Sequence, residues 1–274
     1  MKFIHLTDTH FVPAGKRLYG RDPSAALRAA VADINAHHAD AELVVVTGDL
    51  THWGEPRAFA HLAGVLAELA PPLRLLIGNH DARDVFRRTF PDQPADASGF
   101  IQSVQDTSAG RFVFLDTVEA GSDAGHYTAE RCAWLADSLA ATDRDLFLFM
   151  HHPPFPIGLP ALDKIGLQRA EGFRAALEPH RHRVRHLFFG HVHRPVAGSW
   201  LGIPVSSVRS MNHQTWFDLQ AGELVASFEP PAYGVVIVDA DSVIVHSHDF
   251  LDDSPKFAYR ENPWDDWSRR PPPA

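Results

Sequence analysis

The sequence predicts an α/β protein, and three observations carry that reading. Short apolar runs rich in β-branched and aromatic residues alternate with amphipathic stretches through the first two-thirds of the chain. Most of these runs are continuous rather than alternating, as strands covered on both faces require. Polar residues able to do chemistry follow directly after several of the runs.

Strands are expected at residues 2–6, 43–47, 73–77, 111–115, 145–150 and 184–189. The first helix should take Asp22 as N-cap and Pro23 at its first position and run to about His38. A second starts near Pro56 and reaches about Leu69, and a third spans about Thr128 to Leu139. After about Pro195 the helical signal stops. There "GSWLGIPVSSV", "GELVASFEP" and "YGVVIVDADSVIVHSHDF" read as strands and hairpins, the last turning at Asp239 to Asp241. These strands are expected to complete a second sheet, or to build a subunit interface that makes the protein a homo-oligomer. The expected division is therefore a core at 1–195, late strands at 196–252 and a Pro- and Trp-rich tail at 253–274. The tail reads either as a loose end or as a strap over a neighbouring surface, the latter because of Trp264 and Trp267.

Composition narrows the function classes. With 274 residues, 45% hydrophobic and 22% charged, the chain can bury a large core as one soluble domain with an appendage. Its apolar runs, such as 43–46 and 146–150, fall far short of the roughly 20 residues needed to cross a bilayer. The start "MKFIHLTDTH" reads as a strand and not as a signal peptide, so a cytoplasmic protein without a membrane partner is expected. Cys132 is the only cysteine, which excludes intrachain disulfides and thiolate clusters; its helical surroundings suit a buried core thiol. A net charge of −9 argues against duplex nucleic acid but leaves room for a small anion at a locally positive centre. Of the 18 histidines, His37 and His38 suit a helix end, and His180, His182 and His186 lie in a basic stretch expected at the surface.

The remaining histidines fall into a pattern. "IHLTDTH" sets Asp8 and His10 after the first strand, "VVVTGD" sets Asp49 after the second, and "LLIGNHD" sets Asn79, His80 and Asp81 after the third. "FLFMHHPP" then supplies His151 and His152, and "LFFGHVH" supplies His191 and His193. Each cluster alone suits a turn or cap. All five at strand carboxyl ends should converge on one crevice, where open α/β sheets gather ligand groups. Imidazole nitrogen with carboxylate and amide oxygen is a donor mixture for Mn, Fe, Co or Zn, and seven ligands exceed one tetrahedral site. Two divalent ions are therefore expected, with a carboxylate such as that of Asp49 bridging them. Set against Asp8, Asp49 and a bridging hydroxide they leave a centre of about +1, suited to a singly charged phosphodiester.

In order and spacing, "DTH", "GDLTHWG", "GNHD", "MHHPP" and "GHVH" resemble the calcineurin-like metallophosphoesterase superfamily over about residues 1–195. Within it the chain is similar to the bacterial cyclic-nucleotide phosphodiesterase and glycerophosphodiesterase branch, with "KRLYG", "HHPPFPIG" and "NHQ" as supporting details. The resemblance implies a four-layer double β-sandwich flanked by helices. It implies that Asp8, His10, Asp49 and His193 hold one metal and that Asp49, Asn79, His151 and His191 hold the other. It also implies that His80 meets the phosphoryl oxygen or the leaving alkoxide, that Asp81 orients His80, and that His213 and Asn79 face the substrate. His152 reads as a structural neighbour of a ligand, and His52 as a loop residue or pocket wall. His5 lies within its strand, opposite Ile4 and Leu6, and is given no role; Arg17, Arg21 and Arg194 read as surface arginines.

The second and third motifs lack the continuations of the serine/threonine phosphatase branch, and the acidic balance gives no footprint for DNA. The expected activity is thus hydrolysis of a small diester, a 3′,5′-cyclic nucleotide such as cAMP or a glycerophosphodiester, by in-line attack of a metal-bridging hydroxide. A broad phosphomonoesterase or nuclease is the enzyme rival. A non-catalytic scaffold is the other, disfavoured because the full ligand set is present.

Overall fold

β1 (Lys2–Leu6) and β2 (Leu43–Thr47) lie parallel, linked by α1 (Pro23–His37), whose N-cap Asp22 accepts from the Ser24 amide at 2.9 Å. The structure is a computed structural model that describes residues 1–261 and Trp264. α2 (Pro56–Leu66) leads to β3 (Leu73–Leu76), parallel to β2. This helix stops three residues before the expected Leu69. Pro71 and Pro72 bias the residues before them towards extended backbone, and residues 67–69 close in tight turns instead. α3 (Arg83–Thr89) then turns the chain towards the second sheet.

That sheet begins with the hairpin β4 (Ser103–Asp106) and β5 (Arg111–Phe114). A short β6 (Gly125–His126) precedes α4 (Ala129–Ala140), capped by Thr128, and β7 (Leu146–Met150) returns parallel to β5. The small α5 (Pro160–Asp163), β8 (Leu167–Gln168) and α6 (Glu171–Leu177) lead into β9 (Val184–Phe189), parallel to β7. Of these, α3, α5, α6, β4, β6 and β8 escaped sequence reading because each is two to seven residues long, too short to display a period.

The late strands divide between the two sheets. β10 (Val196–Trp200) and β11 (Ile203–Ser207) extend the second sheet from β9, giving the order β10-β11-β9-β7-β5-β4. A small hairpin follows, β12 (Gln214–Thr215) with β13 (Ala226–Ser227). β14 (Tyr233–Val238) then pairs antiparallel with β1, and β15 (Val243–His248) forms the edge, so the first sheet runs β15-β14-β1-β2-β3. Expected to complete a second sheet or to build a subunit interface, the late strands divide: β10–β11 extend the second sheet, and the β14–β15 hairpin closes the first.

The sheets pack face to face through an aromatic layer. Phe3 meets Phe112 at 5.2 Å and Phe188 at 5.3 Å between ring centroids, and Phe149 stacks on Phe188 at 5.0 Å. Outward faces are covered by helices: Ile4, Leu6, Val44 and Val46 pack with Leu27, Ile34, Phe59 and Leu62, while Leu146, Leu148 and Met150 pack with Leu135, Leu139, Phe173 and Leu177. Helix, sheet, sheet, helix is the four-layer double sandwich.

His186 corrects one expectation. It lies on β9, not at the surface, because strand alternation turns it between the sheets, where it stacks on Phe188 at 4.2 Å and meets Ser206 Oγ at 2.8 Å. Cys132 is half-buried against the second sheet's helix-covered core. Among the described residues no helix is long and apolar enough to cross a membrane. Trp264 packs its ring 4.7 Å from that of Phe257, and Trp267 lies outside the described residues.

Candidate metal centre

All five motif loops leave the carboxyl ends of parallel strands, three from the first sheet and two from the second. Their backbones are unusual. Asp8, His10, Asp49, His191 and His193 hold φ of 53°, 45°, 48°, 70° and 50°, the left-handed region that non-glycine residues adopt at a cost of about 1–3 kcal/mol each. Backbone bonds pin them there: the amides of Asp8, His10 and Phe11 donate to the carbonyls of Gly48, Asp49 and Leu50 at 2.9–3.0 Å, lacing the first loop to the second. Gly78 is required for a steric reason, since a Cβ there would enter the Asp49 carboxylate and the His151 ring.

The donor atoms gather in two sets. In the first, His10 Nε2 faces His193 Nε2 at 2.9 Å, Asp8 Oδ1 lies 3.4 Å from His193 Nε2, and Asp49 Oδ2 lies 3.6 Å from His10 Nε2. Ligand atoms from all four residues fall within 4.8 Å of one another. In the second, His151 Nε2 lies 3.3 Å from Asp49 Oδ2 and 3.2 Å from Asn79 Oδ1, and Asn79 Oδ1 lies 3.1 Å from His191 Nδ1. Donors at about 2.0–2.2 Å from one tetrahedral ion stand about 3.3–3.6 Å apart, so both sets have nearly the span a cation needs. Asp49 belongs to both. His191 Nε2 is moreover buried without a hydrogen-bond partner among the described residues.

The outer atoms fix the inner ones. His151 Nδ1–H donates to the Thr47 carbonyl at 2.7 Å and His193 Nδ1–H to the His213 carbonyl at 2.8 Å, which aims each Nε2 inward. Burial opposes charge on His151, but the Asp49 carboxylate and its hydrogen bond prevail and raise it to about 9; Asp8 likewise raises His193 against burial. Burial holds His10 well below the usual imidazole range and takes His191 down to about 3. Burial alone would raise Asp8 and Asp49, yet both are lowered by the imidazoles facing them, His193 for Asp8 and His151 for Asp49.

The other sequence candidates find distinct places. His80 lines the cavity over these donors, stacked on His52 at 4.9 Å; its Nδ1–H donates to the His52 carbonyl at 2.8 Å and its amide to Asp49 Oδ1 at 3.0 Å. Asp81 does not fulfil its expected orientation of the His80 ring. Its carboxylate instead accepts from the Leu50, Thr51 and Gly78 amides and the Thr51 hydroxyl at 2.9–3.0 Å, clamping the second loop to the third. Burial, with Asp49 nearby, raises Asp81 to about 6. His213 is half-buried and lines the same cavity, its ring 4.6 Å from His193 and 5.0 Å from His10. His52 is a buried wall whose Nδ1 lies 3.2 Å from His10 Nδ1. His152 is held by Thr117 Oγ1 at 2.7 Å and the Asp123 carbonyl at 3.2 Å. Arg194 pairs with the Thr215 carbonyl and Glu229, and Arg17 with the Gly20 carbonyl.

His5, given no role by sequence reading, ends a buried chain that reaches a donor. Asp8 Oδ2 can only accept, so the Thr7 hydroxyl donates to it at 2.8 Å. Thr7 must then accept from Thr47 at 2.9 Å, and Thr47 from His5 Nε2–H at 2.9 Å. The chain fixes the His5 tautomer and leaves its Nδ1 buried without a partner among the described residues. Sequence carried no signal for this, because the contacts cross from strand to strand.

A cavity of about 500 Å³ opens over the donors. Besides the histidines, Asp49 and Asn79 it is lined by Tyr19 and Trp53, which stand in "KRLYG" and "GDLTHWG", by Leu162, Ile165, Leu224 and Val225, apolar groups that no motif reveals, and by Asp123, Gln214 and Thr215.

Comparison with known proteins gives one consistent picture. The calcineurin-like phosphoesterase profile matches residues 1–195. A probable cyclic nucleotide phosphodiesterase of Rhodopseudomonas palustris is 46% identical over 267 residues, covering 96% of this chain and 97% of that protein. The glycerophosphodiester phosphodiesterase GpdQ of Enterobacter lignolyticus is 31% identical over 220 residues, 78% of each chain. The purple acid phosphatase PPD1 from yellow lupin seeds shares the fold, with a TM-score of 0.67 at 14% identity over 92% of this chain and 52% of that one.

Proposed function

This chain belongs to the calcineurin-like phosphoesterase family, and from that premise we propose that it is a two-metal phosphodiesterase of small diesters, cyclic nucleotides or glycerophosphodiesters. The observation that carries the reading is the shared carboxylate: Asp49 Oδ2 lies 3.6 Å from His10 Nε2 in one donor set and 3.3 Å from His151 Nε2 in the other. In this reading Asp8, His10, Asp49 and His193 hold one ion, and Asp49, Asn79, His151 and His191 hold its neighbour. When bound, ions of the Mn, Fe, Co or Zn type would supply Lewis acidity towards phosphoryl oxygens and a water of lowered pKa.

The chain's own groups do the rest. His151 and His193, tied to backbone carbonyls by Nδ1, keep their Nε2 lone pairs directed inward. His80, tied by Nδ1–H to the His52 carbonyl, has Nε2 left to meet a phosphoryl oxygen or, when protonated, to give its proton to the leaving alkoxide. Asn79 and His213 contact the substrate beside it. Asp81 is a positioning residue, acting through the loops it clamps. Among the described residues the cavity lining contains no Lys or Arg. A monoester dianion would find no cationic side chain there to balance its second charge against a metal centre of about +1, and this favours the singly charged diester. A cytoplasmic setting and a homo-oligomer complete the reading, the latter supported by the exposed Ile244 on edge strand β15.

The test is ³¹P NMR of manganese-loaded protein with a mixture of 3′,5′-cyclic AMP, a glycerophosphodiester and a simple phosphomonoester, beside a chelated control. Metal-dependent loss of a diester resonance is expected. Loss of the monoester alone would replace the reading with a phosphatase.

A further inference from the structure

The mouth of the cavity poses a question that the metal donors do not answer. Trp53 is 75% exposed and Tyr19 54% exposed, although large aromatic side chains ordinarily hide their rings. Both line the cavity over the metal donors. His52 stands between them, 4.5 Å from the Trp53 ring and 5.9 Å from that of Tyr19. Trp53 lies 6.2 Å from His80, and Tyr19 lies 4.9 Å from His213. The two exposed rings thus flank the groups expected to meet a phosphoryl oxygen.

Neither ring is there by slack. Trp53 follows Thr51, whose amide and hydroxyl are clamped by Asp81, and His52, whose amide donates to the Phe11 carbonyl at 2.9 Å. Tyr19 sits at the tip of a tight turn closed by reciprocal 2.9 Å bonds between Leu18 and Arg21, with a φ of 51°. Backbone strain is thereby maintained at a residue whose ring faces the site. Leu162, Ile165, Leu224 and Val225 add apolar lining that a glycerol group would not use, and the Gln214 amide is already bonded to Ser210 at both ends, so that Asp123 and Thr215 are the further polar side chains that the lining offers beside the rings and the metal donors.

We infer that Trp53 and Tyr19 form an aromatic platform for a planar base, so that the site prefers cyclic nucleotides to glycerophosphodiesters. The inference rests on the phosphodiesterase reading above and names the substrate class within it. A nucleobase stacks on such rings whatever its identity, whereas glycerol and ethanolamine have no π-face to offer.

The test uses the manganese-loaded full chain and its Trp53→Ala and Trp53→Phe variants, with cyclic AMP, glycerophosphoethanolamine and glycerophosphocholine as substrates. The wild type should favour cyclic AMP in kcat/KM. Trp53→Ala should lower the ratio of kcat/KM for cyclic AMP to that for glycerophosphoethanolamine by about tenfold or more, mainly through KM, and Trp53→Phe should restore much of it. Equal losses on both substrates would overturn the inference, as would a loss confined to glycerophosphocholine, which would make the rings a quaternary-ammonium cage. Calorimetric binding of 5′-AMP against ribose 5-phosphate to the same protein reads the platform without turnover. A preference of about tenfold for AMP that collapses in Trp53→Ala supports it even if no diester is hydrolysed, which would instead defeat the phosphodiesterase reading. Equal affinities in the wild type would overturn it.

Discussion

Replacing His5 with phenylalanine should separate folding from metal binding. The residue is fully buried between the sheets, with its ring 5.5 Å from Phe188, and phenylalanine fills nearly the same shape. The substitution removes one neutral hydrogen bond to Thr47, a net loss of about 0.5–1.5 kcal/mol. It also removes the partnerless Nδ1, relieving about 1–3 kcal/mol of desolvation. The two terms nearly cancel, so the chelated variant should match or slightly exceed the wild type in its urea midpoint. Metal affinity should move the other way. With Thr47 no longer held by His5, the hydroxyl chain that orients Asp8 Oδ2 loosens, and affinity should fall about tenfold, the lower end of the range for lost outer partners. Calorimetric titration of the chelated protein with Mn²⁺ measures this, with Thr47→Val as a second route to the same loss. Unchanged affinity in both variants, with stability unchanged, would refute the idea that the chain positions Asp8. So would fully additive losses in the double variant, because one chain can be broken only once.

Other perturbations have equally definite outcomes. Asp49→Asn and Asn79→Ala should each reduce bound metal below two ions per chain and lower kcat more than about 100-fold, beyond what outer partners alone reach; metal analysis and turnover check both. Burial depresses His5 to about 3 and His186 to about 4, so both stay neutral in the folded core while the unfolded chain takes up protons near 6.5. Their stability contribution is therefore present above about pH 6.5 and lost as pH falls towards 4, by up to about 1.4 kcal/mol per pH unit for each, measurable as urea midpoints of the chelated protein. Asp116→Ala should destabilise by about 3–5 kcal/mol, since it strips Arg83 of its bidentate partner and leaves Arg131, 1% exposed, with only the half-exposed Glu119 carboxylate at 3.7 Å to offset its charge; a denaturant series reads this directly.

The legible parts of the molecule are those written in local pattern. Buried strands such as β2 announce themselves as apolar runs, and residues placed directly after them, Asp8, Asp49, Asn79, His151 and His191, must fall at one end of the sheets. Asp22 with Pro23 marked a helix start because capping is a local bond. What stayed hidden depends on contacts between distant segments. Asp81 is adjacent to His80 in sequence, which invited the pairing, yet its carboxylate turns to amides 30 and 31 residues away. His5 and His186 looked idle or exposed until two sheets were stacked over them. The destinations of the late hairpins were equally unreadable, because β14 pairs with a strand more than 200 residues earlier.

The central claim is that two ions sharing Asp49 are needed to hydrolyse a small diester. Titrating the chelated protein with Mn²⁺ while following cyclic AMP hydrolysis tests it most directly. Activity should stay near baseline through the first equivalent and rise as the second binds, and Asp49→Asn should abolish that rise. Full activity at one equivalent, or two bound ions with no turnover of any diester, would contradict the account.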